Sequence, residues 1–421
     1  MTFNTSAQLV ETVKTLARQG FRARGAATDR DWEESTHWQE LRQLGTRLWL
    51  DTGDLEGASQ HWTAEFEALT TNNTLLNREV QKGIYDDFIA ESLSSAGPLR
   101  DLDRRQRTIE LALILNARHG LKLVERFDAW VSVELHTDLA DDLEHTVWYG
   151  RRLFDIYPER FIIKVPLTPA GYLAARQLSD GGVRVNFTLG FSARQNYLAA
   201  ILAEPAFVNV FLGRLNSFVA DNELGDGENV GEKTLVASQE AVAEVRAAHG
   251  VRTQQIAASM RDGQQVNALA GCDVMTLPLA VAEAFLSERA FGPELVPYED
   301  QDYRVNLAPG SSERVVRPLW EVTPRFKDAA AVLLDEPLED YAAADLRGFF
   351  AARSLGDLFP DWSEEDIQTI VQDGKIPSYA HWSDRLHEEN VALDAVMSQS
   401  GLKSFATDQE ALDARIEAHL R

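Results

Sequence analysis

The side chain with the most chemical potential in this sequence is Lys164, set inside the run Phe161-Ile162-Ile163-Lys164-Val165-Pro166. A lysine among aliphatic residues most often reaches solvent at a strand end or forms an ion pair, because lysine is rarely buried unpaired. The other reading is chemical. In a dry pocket, desolvation disfavours the ammonium and leaves an amine that can add to a carbonyl. The resulting iminium is an electron sink, so a neighbouring C–C bond can break as in a retro-aldol step. That chemistry needs a carboxylate to move a hydroxyl proton, a second acid/base for water, and amides to hold hydroxyl groups. Candidates stand at equivalent points of other apolar runs. Asp51 ends the first, Asn72 follows the second, and Glu134 lies in the third. Asn186 and Thr188 alternate in the fifth and so share a face, as period two requires. Singly, Asp51 reads as a helix cap, Glu134 as an ion-pair partner and Asn72 as a turn residue; their joint position points to a site.

The elements that position them are short β-type runs at residues 48–50, 66–70, 130–135, 161–165, 183–189, 207–212, 255–258 and 273–276. Helical patterns lie between most of them, which implies βαβ units and a parallel sheet; eight runs favour a closed (β/α)8 barrel, an α/β fold. Thr168-Pro169 reads as an N-cap with proline at the first helical position, and Gly181-Gly182 as that helix's end. Ser192 with Gln195, and Thr407 with Glu410, read as capping boxes. The expected organisation is a helical segment over 1–44, the barrel over 45–288, an extension over 289–400, and a C-terminal helix over 401–421 that packs back on the barrel. In the first segment Leu9, Val13 and Leu16 form a stripe ended by Gly20. The extension starts irregular, with Pro293, Pro297, Pro309 and Pro318, and becomes helical, with Ser363 capping a stripe of Ile367, Ile370 and Val371. It reads foremost as extra packing, with a homodimer surface or a lid over the barrel mouth as alternatives.

The chain of 421 residues is 44% hydrophobic and 25% charged, ordinary values for a globular protein able to bury a large core. No apolar stretch approaches the ~18 residues of a membrane span, and no membrane partner is expected. The start, Met1-Thr2-Phe3-Asn4, lacks a basic and apolar leader pattern. The single cysteine, Cys272, falls in a run that reads as a buried strand. Both observations favour a cytoplasmic setting. A net charge of −25 argues against nucleic acid, which needs a basic face. The same charge means that a phosphorylated ligand would depend on a few well-placed cations.

Several segments together resemble the transaldolase family, over roughly residues 45–288 and again over 401–420. They are Leu48-Trp49-Leu50-Asp51-Thr52-Gly53-Asp54, Thr70-Thr71-Asn72, Ile163-Lys164-Val165-Pro166-Leu167-Thr168-Pro169-Ala170-Gly171, and Val185-Asn186-Phe187-Thr188-Leu189-Gly190-Phe191-Ser192. Phe211-Leu212-Gly213-Arg214, Ala257-Ala258-Ser259-Met260-Arg261 and Ala270-Gly271-Cys272-Asp273-Val274-Met275-Thr276 follow in family order.

The resemblance implies that Lys164 is a Schiff-base nucleophile and that Asp51 moves the C4 hydroxyl proton. It implies that Glu134, with Thr188 and a water, serves carbinolamine dehydration and imine hydrolysis. Asn72 and Asn186 would hold a dihydroxyacetone portion, Thr70 would be a further substrate contact, and Arg214, Ser259 and Arg261 would bind a phosphate. In that family a phenylalanine at the position of Phe211 accompanies transfer of the three-carbon unit, whereas tyrosine looks more like the free-aldolase branch. No metal or organic cofactor is implied, since the imine is the electron sink. The implied activity is transfer of dihydroxyacetone between sugar phosphates in the pentose phosphate pathway. A fructose-6-phosphate aldolase, a specialised transaldolase-like enzyme and a non-catalytic sugar-phosphate-binding scaffold are the alternatives. Two positions depart from the family pattern: Asn73 stands where proline is usual after Thr-Thr-Asn, and Asn209-Val210 where Ser-Pro is usual. Asn209 keeps the capacity to bond a sugar hydroxyl.

Other motifs carry less. Gly225-Asp226-Gly227-Glu228-Asn229-Val230-Gly231-Glu232-Lys233-Thr234 fails as a phosphate loop, because Glu232 separates Gly231 from Lys233 and no strand precedes it. Asp51-Thr52-Gly53-Asp54 has its second carboxylate one position late for a metal-dependent phosphatase. No histidine pair stands at metal-ligand spacing beside a further ligand, and no Gly-x-Ser-x-Gly elbow appears. His136, near Glu134, reads as a packed residue of the barrel mouth.

Overall fold

The apolar runs are short, rich in β-branched and aromatic residues, and buried on both faces, which suits parallel strands covered by helices. In a computed structural model that describes residues 3–23, 32–289, 294–311 and 313–419, they form β1 (Arg47–Asp51), β2 (Phe66–Thr70), β3 (Trp130–Glu134), β4 (Phe161–Pro166), β5 (Val185–Thr188), β6 (Phe207–Phe211), β7 (Gln254–Ala258) and β8 (Val274–Pro278). Each strand pairs in parallel with the next and β8 returns to β1, closing a (β/α)8 barrel. Inside it, Trp49 meets Phe207 edge-on at 4.7 Å, and its indole N–H is satisfied by Glu67 Oε1 at 3.1 Å.

Register decides which side chains share a level. Glu134 is paired with Lys164, Lys164 with Asn186, and Asp51 with Thr70. All lie at or near the C-terminal ends of their strands, the end where barrel enzymes build their sites. Helix caps fix the turns beyond. Thr168 accepts from the Gly171 N–H at 2.9 Å and Pro169 opens the helix Pro169–Asp180. Ser192 caps Ala193–Ala203, accepting from Gln195 N–H at 3.2 Å. Gln195 reaches back to the N–H of Phe191 (2.9 Å) rather than to that of Ser192, one residue short of the expected capping box, and so fastens the loop after β5.

Before the barrel, helices Ala7–Arg18 and Thr36–Gln43 pack against it; the first buries Leu9, Val13 and Ala17, with Leu16 only partly covered. Cys272 is buried but precedes β8 instead of lying within it. After the barrel, short helices and 3-10 turns run to Tyr379–His387; Pro293 lies outside the described residues. Ser363 and Asp366 form a reciprocal cap on Glu364–Asp373, but Val371 is exposed, so Ile370 alone of the expected stripe is fully buried.

The last helix, Leu393–Ala418, is continuous over 26 residues. The helix thus begins before the expected residue 401, and the expected capping box at Thr407 does not form: Thr407 lies mid-helix and its hydroxyl bonds back to Lys403 O at 3.2 Å. An isolated Thr-x-x-Glu cannot stop a helix held by packing on both sides. Its first turn is anchored at Asp394, which accepts from Arg194 Nε (2.8 Å), Arg194 Nη2 (2.9 Å) and Ser192 Oγ (2.6 Å). Further on, Gly401 lies against Leu189 and Arg214, Asp408 accepts from Thr74, and Asp413 accepts from Arg105 Nη1 at 2.6 Å. The helix thus crosses the C-terminal face of the barrel. Among the described residues no helix is long and apolar enough to cross a membrane.

Candidate active site

At that face lies a cavity of about 570 Å³, lined by Lys164, Asp51, Thr70, Asn72, Asn186, Asn209, Phe211, Arg214, Ser259 and Arg261. Ten of the twelve residues singled out from sequence therefore line one space; Glu134 and Thr188 are buried behind it.

Lys164 is only 4% exposed. Its Nζ donates to Thr71 O at 3.2 Å, stands 4.0 Å from Glu134 Oε2, and lies 5.9 Å from the Phe405 ring. Burial raises the Asp51 pKa, opposed by the charge of Lys164, by a hydrogen bond from Thr70 and by the charges of Arg261 and Arg78. Thr70 donates to Asp51 Oδ1 at 2.7 Å, so the 2.6 Å contact between Thr70 and Thr276 hydroxyls must have Thr276 as donor. Burial likewise raises the Glu134 pKa, against the pull of Lys164 and a hydrogen bond from the Asn73 N–H. The two carboxyl groups are thus held toward the range useful for proton transfer.

Three buried polar atoms at this end have no hydrogen-bond partner within the protein: Asn186 Oδ1, Thr188 Oγ1 and Arg214 Nη1. Buried polar groups are rarely left so within a protein, and these three atoms keep their bonding capacity for a ligand or water. Asn186 is oriented by its Nδ2, which donates to Ser132 Oγ at 3.1 Å. Asn72 caps the helix Asn73–Gln81 through Oδ1 to Leu75 N–H (2.8 Å), which leaves its amide hydrogens toward the cavity. Asn209 is more committed: Nδ2 bonds Phe187 O at 2.6 Å and Oδ1 accepts from Gly190 N–H at 3.3 Å.

Arg214 and Arg261 come together because Gly213 allows it. A Cβ there would fall 2.2 Å from Ser259 O and 2.8 Å from Arg261 Cγ. Ser259 itself sits in the left-handed region at φ +63°. Arg214 lies against two rings, Phe211 (5.3 Å) and Phe405 (5.5 Å), and its pKa is pushed down to about 10 by burial and then by the charge of Arg261. Two cations that repel each other, one of them buried, are a site for an anion. Among lining residues, six cationic side chains (Lys82, Lys164, Lys375, Arg78, Arg214, Arg261) face three carboxylates (Asp51, Asp54, Glu79), so a chain of net charge −25 is locally inverted at this mouth. No group of three or more His, Cys, Asp or Glu among the described residues is arranged to hold a metal ion.

Residues 48–344 match the family profile described as transaldolase/fructose-6-phosphate aldolase, about 70% of the chain. The chain belongs to this family. A transaldolase of Xanthomonas euvesicatoria is 31% identical over 245 residues, covering 56% of this chain and 74% of that protein. A transaldolase of Shewanella oneidensis is 28% identical over 310 residues, 70% of this chain and 92% of its own length.

Within this transaldolase/aldolase frame, several lining or supporting groups were not singled out from sequence. Thr276 and Ser132 lie on strands already identified, and alternation alone would have put Thr276 on the barrel interior. Arg78 falls on the helix after β2. Lys375 and Phe405 come from beyond the barrel and line the same cavity; no local pattern marks them.

Proposed function

We propose that this family member is a transaldolase that moves a dihydroxyacetone unit between sugar phosphates, such as sedoheptulose 7-phosphate and glyceraldehyde 3-phosphate, through a Schiff base on Lys164. The observation that carries the reading is a buried amine 4.0 Å from the Glu134 carboxylate, in a cavity that it shares with Asp51 and a repelling guanidinium pair. Nζ attacks the ketone at C2, and the carbinolamine loses water to give the iminium, with Glu134 and Thr188 handling that proton traffic. Asp51 takes the C4 hydroxyl proton as the C3–C4 bond breaks, and the bond's electrons pass into the iminium to give an enamine. The aldehyde phosphate leaves. An acceptor aldehyde then adds in reverse, and water hydrolyses the new imine. Arg214, Ser259 and Arg261 bind the phosphate; Asn72, Thr70, Asn186 and Asn209 hold hydroxyls.

Transfer is favoured over free aldol cleavage by Phe211. Its ring packs against Phe191 and Phe405 with no hydroxyl to activate water beside the enamine. Free dihydroxyacetone is therefore expected to be a poor donor; ready use of it makes the protein an aldolase.

Borohydride with fructose 6-phosphate is expected to leave a reduced three-carbon adduct on Lys164, detected by peptide mass spectrometry. Lys164→Ala should lose both adduct and turnover; residual turnover above about 1% of wild type contradicts its role. No adduct at millimolar sugar supports the binding-scaffold alternative.

A further inference from the structure

The turn Thr71-Asn72-Asn73 touches both reactive side chains. Thr71 O accepts from Lys164 Nζ at 3.2 Å, while the Asn73 N–H donates to Glu134 Oε2 at 3.2 Å. The turn is fastened to β3 through Thr71, whose N–H (3.0 Å) and hydroxyl (2.9 Å) both bond Ser132 O. The Asn73 side chain donates to Leu135 O at 3.2 Å, and the residue is 1% exposed. Asn73 is the first residue of the helix Asn73–Gln81, where the backbone N–H has no partner inside the helix. Proline, the usual residue at this point of the family motif, has no N–H at all.

We infer that Asn73 is a positioning residue for Glu134, its main-chain N–H pinning Oε2 so that the carboxylate is held in one orientation beside Lys164. The inference rests on the roles proposed above for Lys164 and Glu134. With Oε2 engaged, Oε1 is the oxygen available to the water shared with Thr188. The charged groups that face Glu134 are Lys164 from β4, Asp51 from β1 and Arg214 from the helix Leu212–Asp221. The Asn73 N–H adds a neutral donor that favours the ionised carboxylate, so its loss moves Glu134 protonation to higher pH.

The chain allows a clean separation of backbone from side chain. Proline is tolerated at a first helical position, and Asn72 is already extended (φ −157°, ψ 173°), as a residue before proline must be. Asn73→Pro removes the donor, whereas Asn73→Ala keeps it and deletes only the bond to Leu135. In pH profiles of kcat, Asn73→Pro is expected to move the acid limb up by about one pH unit, a roughly tenfold loss below the limb, with the plateau retained. Asn73→Ala should overlay wild type. In a Glu134→Gln background, adding Asn73→Pro should shift nothing further. In wild type labelled with 15N-asparagine, the Asn73 amide proton should shift with pH along the same limb, and Glu134→Gln should abolish that shift; this readout requires no variant at position 73. The inference is overturned if folded Asn73→Pro has the wild-type profile, if Asn73→Ala shifts it equally, or if the amide ignores Glu134→Gln. Wild-type turnover in Glu134→Gln overturns the proposed role of Glu134 itself, a separate failure.

Discussion

Arg214 and Arg261 illustrate how single residues set the chemistry. Each guanidinium has its pKa lowered, first by burial, and Arg214 is further lowered by its neighbour's charge. Only an anion removes that penalty, and it does so in ground state and transition state alike. Arg261→Ala is therefore expected to raise KM for fructose 6-phosphate roughly ten- to hundredfold, the worth of a charge-assisted hydrogen bond, with kcat little changed. Steady-state kinetics check this, with an unphosphorylated ketose as control that should be indifferent. An unchanged KM would put the phosphate elsewhere. Asp51 shows the complementary effect: burial raises its pKa, and the charge of Lys164, together with the hydroxyl relay from Thr276 through Thr70, works against that.

Among the elements, the C-terminal helix matters most to the site, since it brings Phe405 over Lys164 and Arg214. Its position depends on Asp394, fully buried and bonded twice to Arg194 and once to Ser192. Arg194 also holds Asp357 through Nη1 at 2.7 Å, so one guanidinium ties the barrel to two parts of the chain after it. Breaking a buried pair leaves an uncompensated charge. Asp394→Asn should cost about 3 kcal/mol, read as a lowered urea midpoint at unchanged slope. A midpoint equal to wild type would mean that Asp357 alone satisfies Arg194. Thr407 and Glu410 have the residue types of a cap, yet lie in a helix whose buried face runs on through Leu402, Phe405 and Leu412. Residue type proposes an end; packing decides whether the chain uses it.

For the whole molecule, burial of titratable groups makes stability depend on pH. His119, on the helix Arg104–Phe127, has Nε2 2.6 Å from Gly53 O and Nδ1 2.9 Å from Tyr85 OH. Nε2 must donate to the carbonyl, so Nδ1 accepts from the phenol. Burial pushes the His119 pKa down to about 4 from the ordinary 6.5. Between those values the unfolded chain binds a proton that the folded one refuses, so stability is full above the upper value and falls as pH drops toward the lower. The loss amounts to about 3 kcal/mol. His119→Gln should flatten this dependence: urea midpoints measured from pH 7.5 to 4.5 should fall less in the variant than in wild type. Parallel slopes would show that His119 is not the group responsible.

The amino-acid order alone determined the eight strands, the barrel they imply and the lysine at their centre. Period, caps and composition act over a few residues, and a barrel repeats that local logic eight times. It also placed Asp51 and Glu134 at or near strand ends and Asn186 on one face with Thr188, because alternation carries a side chain inward wherever its neighbours face out. Tertiary structure decided what no short window contains. The hydroxyl of Thr276 reaches Thr70 across 206 positions. Lys375 and Phe405 enter the cavity from outside the barrel, and the Asn73 N–H finds Glu134 61 residues away. Those contacts exist only because closure of the sheet and docking of the last helix bring distant segments within hydrogen-bond reach, and partners of that kind leave no periodic trace in the chain.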